Sequence, residues 1–379
     1  MDFRLSDEHI ALKNMARKFA EQEIIPVIRE YDEREEFPWE IVKKMHEVGL
    51  LTAGVPEEYG GPGIDMLGQI IVTEELCYGS AGVGATMAAS SLLSAEPVIV
   101  AGNEAQKKHY FGALNEGKLG AFCLTEPGAG SDVAGISMTA KRDGDYYILN
   151  GTKQFITNGG VADIYTVFAT TDKNLKYKGI IGFIVDRNTP GITVGPEEKK
   201  MGIRTSDTRQ VIFEDVRVPV ENRLGEEGQG FSICMKSLDL SRPSVAAEAI
   251  GIAQRAFDLA VKYCKERVAF GQPIGNFQAL RFMLADMAME IEAARLLTYK
   301  ACWLAMNNEP FNYMASYAKC FAADMAMRVT TNAVQILGGY GYLREYGVEM
   351  CMRDAKVMQI YEGTNQIQRV VIANHIFRG

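Results

Sequence analysis

The sequence predicts an α+β protein in three parts: helices, then a β domain, then helices again. Three observations carry that reading. Apolar residues recur at helical spacing over 1–117 and again over 229–379. Between them, over 118–228, short segments rich in aromatic and β-branched residues are separated by turn signals. No helical pattern falls between those segments, which predicts an antiparallel sheet, a small barrel or sandwich. A chain of 379 residues has room for two or three such domains with ample core.

The elements follow in order. Ser6 is placed to cap a first helix whose opening turn carries Asp7 and Glu8, favourable at the positive end of the helix dipole. Leu12, Met15, Ala16 and Phe19 share one face, and Pro26 closes the run. "PWEIVKKMHEVGLL" repeats the pattern, "PEEYGGPG" reads as a loop, and "QKKHYFGALNEGKLG" ends the first helical part. The strand candidates are "LGAFCLT", "DYYILNGT", "DIYTVFATT", "GIIGFIVD" and "RQVIFEDVRVP", set apart by "RDGD", "NGG" and "TPG". Helix then returns in "RPSVAAEAIGIAQRAFDLAVKYCKERV", "QALRFMLADMAMEIEAARLLTYKACWLAM" and "YMASYAKCFAADMAMRVTTNAVQILGG". Pro243 suits the first turn of the first of these.

Composition narrows the function. The formal net charge is −8 and no Lys/Arg run is long enough to track a phosphate backbone, so nucleic acid is not an expected partner. Apolar stretches such as "PVIVAG" and "IIGFIV" are too short to span a bilayer, so no membrane partner is expected. The opening "MDFRLSDEH" carries acids where a signal or transit peptide would be basic and apolar, so a complete chain would stay in the cytoplasm. The seven cysteines form no CxxC and the four histidines no HExxH, so free thiols and no metal site are expected.

Four segments attract chemistry. "FCLTEPGAGSDVAG", residues 122–135, follows a strand and is dense in small residues, with hydroxyls at Thr125 and Ser131. Its backbone can approach a flat or anionic ligand, or it can be simply a tight loop. Its glycines lack GxGxxG spacing, which disfavours a Rossmann site. In "NGTKQFITNGG", Phe155 and Thr157 alternate onto one strand face, to stack on a ring system or to fill a core. In "KERVAFGQPIGNFQ", Arg267, Phe270 and Gln278 suit a diphosphate, an adenine face and a polar edge, or are a surface arginine and a core phenylalanine. "AVQILGGYGY" holds a Gly-Gly at a helix end, ordinarily a C-cap.

Taken together and in order, these segments resemble the acyl-CoA dehydrogenase family, flavoenzymes that desaturate acyl-CoA thioesters. The resemblance covers essentially the whole chain, through "LTEPGAGSDVAG", "NGTKQFITNGG", "RVAFGQPI", "QILGGYGY" and "RDAKVMQIYEGTNQIQ". "ARKFAEQEIIPV", "VIVAGNEAQKKHY" and "SRPSVAA" are similar to the medium-chain branch. "GGVADIYTVFATTD" and "MRVTTNAVQILGGYGY" are similar to bacterial butyryl-CoA dehydrogenases.

The resemblance implies that Glu362, in "YEGT" at a break between two helices, is the base that takes the acyl α-proton. The chemistry asks for a carboxylate of raised pKa, because a thioester α-C–H is a feeble acid. At such a break, beside Gly363, the side chain can enter an apolar slot free of salt bridges. The isovaleryl branch carries its base at the position matching Ser241; a serine here argues against a branched substrate of that kind. FAD is the implied cofactor. Phe122, Leu124, Thr125, Gly130 and Ser131 with Phe155, Ile156 and Thr157 would line its ring and phosphates. Arg267, Phe270 and Gln278 with Gln335, Gly338 and Gly339 would reach the FAD of a neighbouring subunit in a homotetramer. Thr364, Asn365 and Gln366 would touch FAD from the start of the last helix. Ser131, Asp239, Ser241, Arg242, Tyr361 and Gly363 are the implied acyl-CoA contacts. The Glu362 N–H and a flavin ribityl hydroxyl would hold the thioester oxygen. Electrons would pass to an electron-transferring flavoprotein.

Rivals are an enoyl-CoA reductase, a cyclic or dicarboxylic acyl-CoA dehydrogenase, and a non-catalytic flavin-binding protein. Chain length stays open. Glu96, in "SAEPVIVAG", replaces an uncharged residue of the medium-chain pattern. The favoured placement is outward, as a solvated helix residue with no say in specificity; turned inward, it would penalise long straight chains.

Overall fold

The protein is described by a computed structural model covering residues 4–378. The reading of Met1, Asp2 and Phe3 lies outside those residues. Seven helices come first: α1 (Asp7–Phe19), α2 (Ile28–Arg34), α3 (Trp39–Glu47), α4 (Met66–Gly79), α5 (Ala81–Met87), α6 (Glu96–Ala101) and α7 (Glu104–Asn115). Polar caps start several of them. Ser6 Oγ accepts from the His9 N–H, as the sequence indicated. Asn103 and Gln106 close a reciprocal capping box at α7.

Eight strands form one sheet: β1 (Gly120–Cys123), β2 (Thr139–Asp143), β3 (Tyr146–Thr157), β4 (Ile164–Thr170), β5 (Ile180–Asp186), β6 (Ile192–Val194), β7 (Thr208–Pro219) and β8 (Arg223–Leu224). "DYYILNGT" and "NGTKQFIT" are one strand, β3, and the RDGD turn joins β2 to β3 through Gly144 at φ +60°. The antiparallel expectation needs a correction. β4 pairs antiparallel with β5, but β1 and the start of β2, at Thr139, lie parallel to it. The whole β2–β3 hairpin intervenes between β1 and β4, a connection long enough for a parallel crossover, and no local turn sets their direction.

The C-terminal part holds α8 (Gly230–Glu266), a short ribbon of β9 (Val268–Ala269) and β10 (Gln272–Pro273), α9 (Gln278–Met306), α10 (Asn312–Leu337), α11 (Val348–Met358) and α12 (Asn365–Arg378). Here a second expectation fails: Pro243 lies inside α8, not in its first turn. Pro243 brings no N–H for the Asp239 carbonyl, a loss the helix tolerates because Ser241 to Ala253 are all buried against other elements. α8 is the axle of the molecule, packing on α4, α6, α10, α11 and β5.

One apolar core joins the first helices to the sheet, through Phe19, Leu76, Met87, Tyr147, Phe183 and Phe213. Another, alanine-rich, fills the C-terminal bundle. All seven cysteines are free and buried. The helical run Ala81–Ala101 is long and apolar enough to cross a bilayer, contrary to the sequence expectation, yet 78% of its apolar 18-residue stretch is buried inside the protein. Its small residues hide that character from a search for unbroken apolar runs.

Candidate active site

The break between α11 and α12 places Glu362. Its backbone has φ +52° and Gly363 follows at φ +88°, so two successive left-handed residues turn the chain out of one helix and into the next. Ser241 Oγ, from α8, donates to Glu362 Oε2 at 2.5 Å. Burial pushes the Glu362 carboxyl above its ordinary range; the Ser241 hydrogen bond, the Lys319 ammonium and the Arg242 guanidinium each pull it back in part. The slot is therefore less apolar than the sequence reading had it. Among the described residues, no protein group accepts from the Glu362 N–H.

Behind the turn, α10 supplies Lys319, which is fully buried. Its ammonium donates to the Gly363 carbonyl at 2.8 Å and to Asn365 Oδ1 at 3.0 Å. Desolvation brings Lys319 down to about 8, with Glu362 holding it up. Tyr361 donates its hydroxyl to Glu248, a buried α8 carboxyl raised to about 8 chiefly by desolvation. Arg242 pairs with Asp239 one turn back on α8, and its Nε is buried with no partner. Sequence reasoning missed Lys319 and Glu248. The signal was present: each sits on an alanine-lined core stripe, "MASYAKCFAA" and "SVAAEAIG", where a charged residue is out of place.

The two segments expected around a flavin ring are stitched together. The Gln154 N–H donates to the Thr125 carbonyl at 2.8 Å, and buried Lys153 reaches both the Leu124 carbonyl and Glu126. A register irregularity between Lys153 and Ile156 turns Phe155 outward at φ +56°, leaving it 62% exposed. Phe155 and Thr157 thus share an accessible face, although through a bulge and not by plain alternation. Phe122 is half-buried against Phe168, and Ser131 and Gly130 are exposed. Leu124 and Ile156 are buried, so their side chains belong to the core.

Arg267, Gly338 and Gly339 come together around an open cavity of about 430 Å³, with Tyr263, Leu337 and Tyr340. The Arg267 guanidinium lies 5.6 Å from the Tyr340 ring centre. No residue of the 122–131 loop or of β3 lines this cavity. Phe270 projects almost wholly into solvent at φ +52°, and Gln278 and Gln335 are exposed, but none of the three is in the cavity wall. Thr364 Oγ1 caps α12 by accepting from the Ile367 N–H, and Gln366 is exposed. Asn365 is a correction: its side chain points inward, bonded to Lys319, Asp324 and the Cys320 carbonyl, leaving only backbone for a cofactor.

Glu96 opens α6 and is half-buried, so it is less solvated than the outward placement implied; burial raises its carboxyl to about 8, and the Glu362 charge adds to the shift.

These residues fit a large flavin nucleotide. Cβ atoms placed on Gly128, Gly130, Gly338 or Gly339 would meet nothing within 4 Å, so their backbone is open to a ligand. The unpartnered Arg242 Nε offers a buried donor.

Comparison with known proteins agrees. Family models for the acyl-CoA dehydrogenase N-terminal, middle and C-terminal domains match residues 6–118, 121–216 and 228–377. The chain is 47% identical over the full length of both chains to the short-chain specific acyl-CoA dehydrogenase of Clostridium acetobutylicum. It matches the butyryl-CoA dehydrogenase structure from Megasphaera elsdenii with a TM-score of 0.97 and 49% identity, covering both chains completely. A chain from Acidaminococcus fermentans, in a structure described as an electron transferring flavoprotein, aligns equally completely at 49% identity with a TM-score of 0.98. With all three family domains in order along the chain, and the Glu362 carboxylate half-buried beside Ser241 between its last two helices, the protein belongs to the acyl-CoA dehydrogenase family, the FAD-dependent oxidoreductases of acyl-CoA thioesters.

Proposed function

We propose that this enzyme oxidises a short-chain acyl-CoA to the trans-2-enoyl-CoA, with Glu362 as the base, and passes the electrons to an electron-transferring flavoprotein. The observation that carries it is the Glu362 carboxylate itself. It is half-buried, of raised pKa, held at one oxygen by Ser241 and with no hydrogen-bond partner among the described residues at the other. Such a group takes a proton from carbon near neutral pH, where an ordinary carboxylate is too weak a base.

The Glu362 N–H, lacking a protein acceptor, is available to the thioester oxygen and would support the charge that develops there. Lys319 fixes the turn from behind through the Gly363 carbonyl. Ser241 limits rotation of the carboxylate, and Arg242, fastened to Asp239, holds a donor at the same wall. Phe155 and the 125–131 loop would hold FAD at the ring, and Thr364 with Gln366 near the start of α12. Bound FAD would accept the β-hydrogen as hydride, so that the proton goes to Glu362 and the electron pair to the cofactor.

The short-chain preference is supported by the likeness to short-chain specific relatives. A homotetramer, with Arg267 and Gly338–Gly339 reaching a neighbour's FAD, is supported by a cavity that is lined from the C-terminal part alone. The test is anaerobic mixing of the FAD-loaded enzyme with acyl-CoAs from C4 to C16. Flavin bleaching by butyryl- and hexanoyl-CoA is the expected result. FAD bound but bleached by none of the series would overturn the reading.

A further inference from the structure

Gln368 is the fourth residue of α12 and is fully buried, yet only one end of its amide is used. Its Nε2 donates to the Glu362 carbonyl at 3.3 Å and to the Gly363 carbonyl at 2.9 Å. Its Oε1 is buried with no partner among the described residues. A buried acceptor left unmet is costly, and an apolar side chain of similar size would avoid that cost. What the amide supplies, and an apolar group cannot, is a pair of N–H donors, both directed at the turn that carries Glu362. The approach is close. A Cβ on Gly363 would meet Nε2 at 2.7 Å, so this glycine is required by its neighbour as well as by its φ of +88°.

The backbone around Glu362 is held on both sides. Before it, the Tyr361 N–H bonds to the Val357 carbonyl at 3.1 Å, and the Tyr361 hydroxyl to Glu248. After it, Gln368 holds the carbonyls of both Glu362 and Gly363, and Lys319 shares the second at 2.8 Å. Among the described residues, no other group donates to the Glu362 carbonyl. We propose, on the reading that Glu362 is the base, that Gln368 is a positioning residue for it. By pinning the Glu362 carbonyl it sets where the carboxylate leaves the turn, and so the speed of proton removal, with no share in binding the thioester. Without that donor the left-handed turn can relax and carry the side chain away from Ser241, its partner on α8. Misplacing a reacting group by about 1 Å can cost a hundredfold in rate.

The experiment follows a single turnover of flavin reduction when the FAD-loaded enzyme is mixed anaerobically with butyryl-CoA. Gln368→Met keeps the bulk and removes both donors; Gln368→Asn, an amide too short to reach both carbonyls, replaces it if the first does not fold. Arg369→Met is the control: it frees the next α12 residue from Asp324 and the Asn365 carbonyl but touches neither carbonyl of the turn. The Gln368 variant should be reduced as fully as wild type but at least about tenfold more slowly, with half-saturation by butyryl-CoA within about twofold of wild type. α-Deuterated butyryl-CoA should slow it at least as much as it slows wild type, because the step impaired is removal of the α-proton. Arg369→Met should keep the wild-type rate. A merely structural role would lower the extent of reduction and leave the rate constant of the competent fraction unchanged, which overturns the proposal. Equal slowing of both variants also overturns it, since the effect would then belong to α12 as a whole. If Glu362→Gln is not reduced while the Gln368 variant matches wild type, only the role of Gln368 fails. If Glu362→Gln is reduced at the wild-type rate, or wild type by no acyl-CoA, the reading of Glu362 fails and the proposal with it.

Discussion

Glu362 holds a backbone conformation that non-glycine residues rarely adopt, at φ +52°. Such a conformation typically costs about 1–3 kcal/mol and persists only where its surroundings enforce it. Lys319 is the chief enforcer, because its buried ammonium ties the Gly363 carbonyl to Asn365 at the start of α12. It also places a positive charge near Glu362, the proposed base. The sign follows. Glu362 must be ionised to accept a proton, so the rate rises as pH rises through its elevated pKa. Removing the cation raises that pKa further. Lys319→Met should therefore move the acid limb of kcat/KM for butyryl-CoA to higher pH and cost about tenfold or more at the acid end, where the base is mostly protonated. A variant that loses stability but keeps the wild-type acid limb would show that Lys319 is structural only.

At the scale of elements, α9 carries a feature that its sequence periodicity concealed. Phe282, Met289, Leu296 and Trp303 recur every seven residues and are all exposed. A stripe of that period is the seam by which helices pair, and a monomer rarely leaves one open. Read in the sequence, those residues merge into the apolar pattern of a bundle helix, since spacing shows which residues share a face but not whether the chain itself covers it. The double change Met289→Lys and Trp303→Glu should shift the enzyme to smaller species in sedimentation and loosen FAD on dilution. A variant with wild-type mass and FAD content would separate the stripe from assembly. Other elements show the same divide. The Ser6 cap and the Gly144 turn were legible because their partners lie within a few residues. The place of Pro243 inside α8 was not, because burial against α4 and α10 outweighs the local cost of a proline.

Over the whole molecule, the helix–sheet–helix order and the carboxylate at the last break were readable, and the networks that hold them were not. Glu362 stood out because "YEGTNQ" interrupts two helical patterns, whereas Ser241 meets it from 121 residues away. Glu96 was read outward because an acid in a first helical turn normally is; the packing of α6 on α8 leaves it only half-accessible. The parallel strand β1 likewise depends on a connection that passes through a complete hairpin. The role proposed for these long-range contacts is to hold one half-buried base against an acyl group, and that is the central claim. It is tested most directly by rapid anaerobic mixing of FAD-loaded Glu362→Gln with butyryl-CoA. The amide keeps the size of the side chain and can still accept from Ser241, but it cannot take a proton. FAD content and acyl-CoA binding should match the wild type, while flavin reduction should fall by about a hundredfold or more. Reduction at close to the wild-type rate would place the base elsewhere and contradict the account.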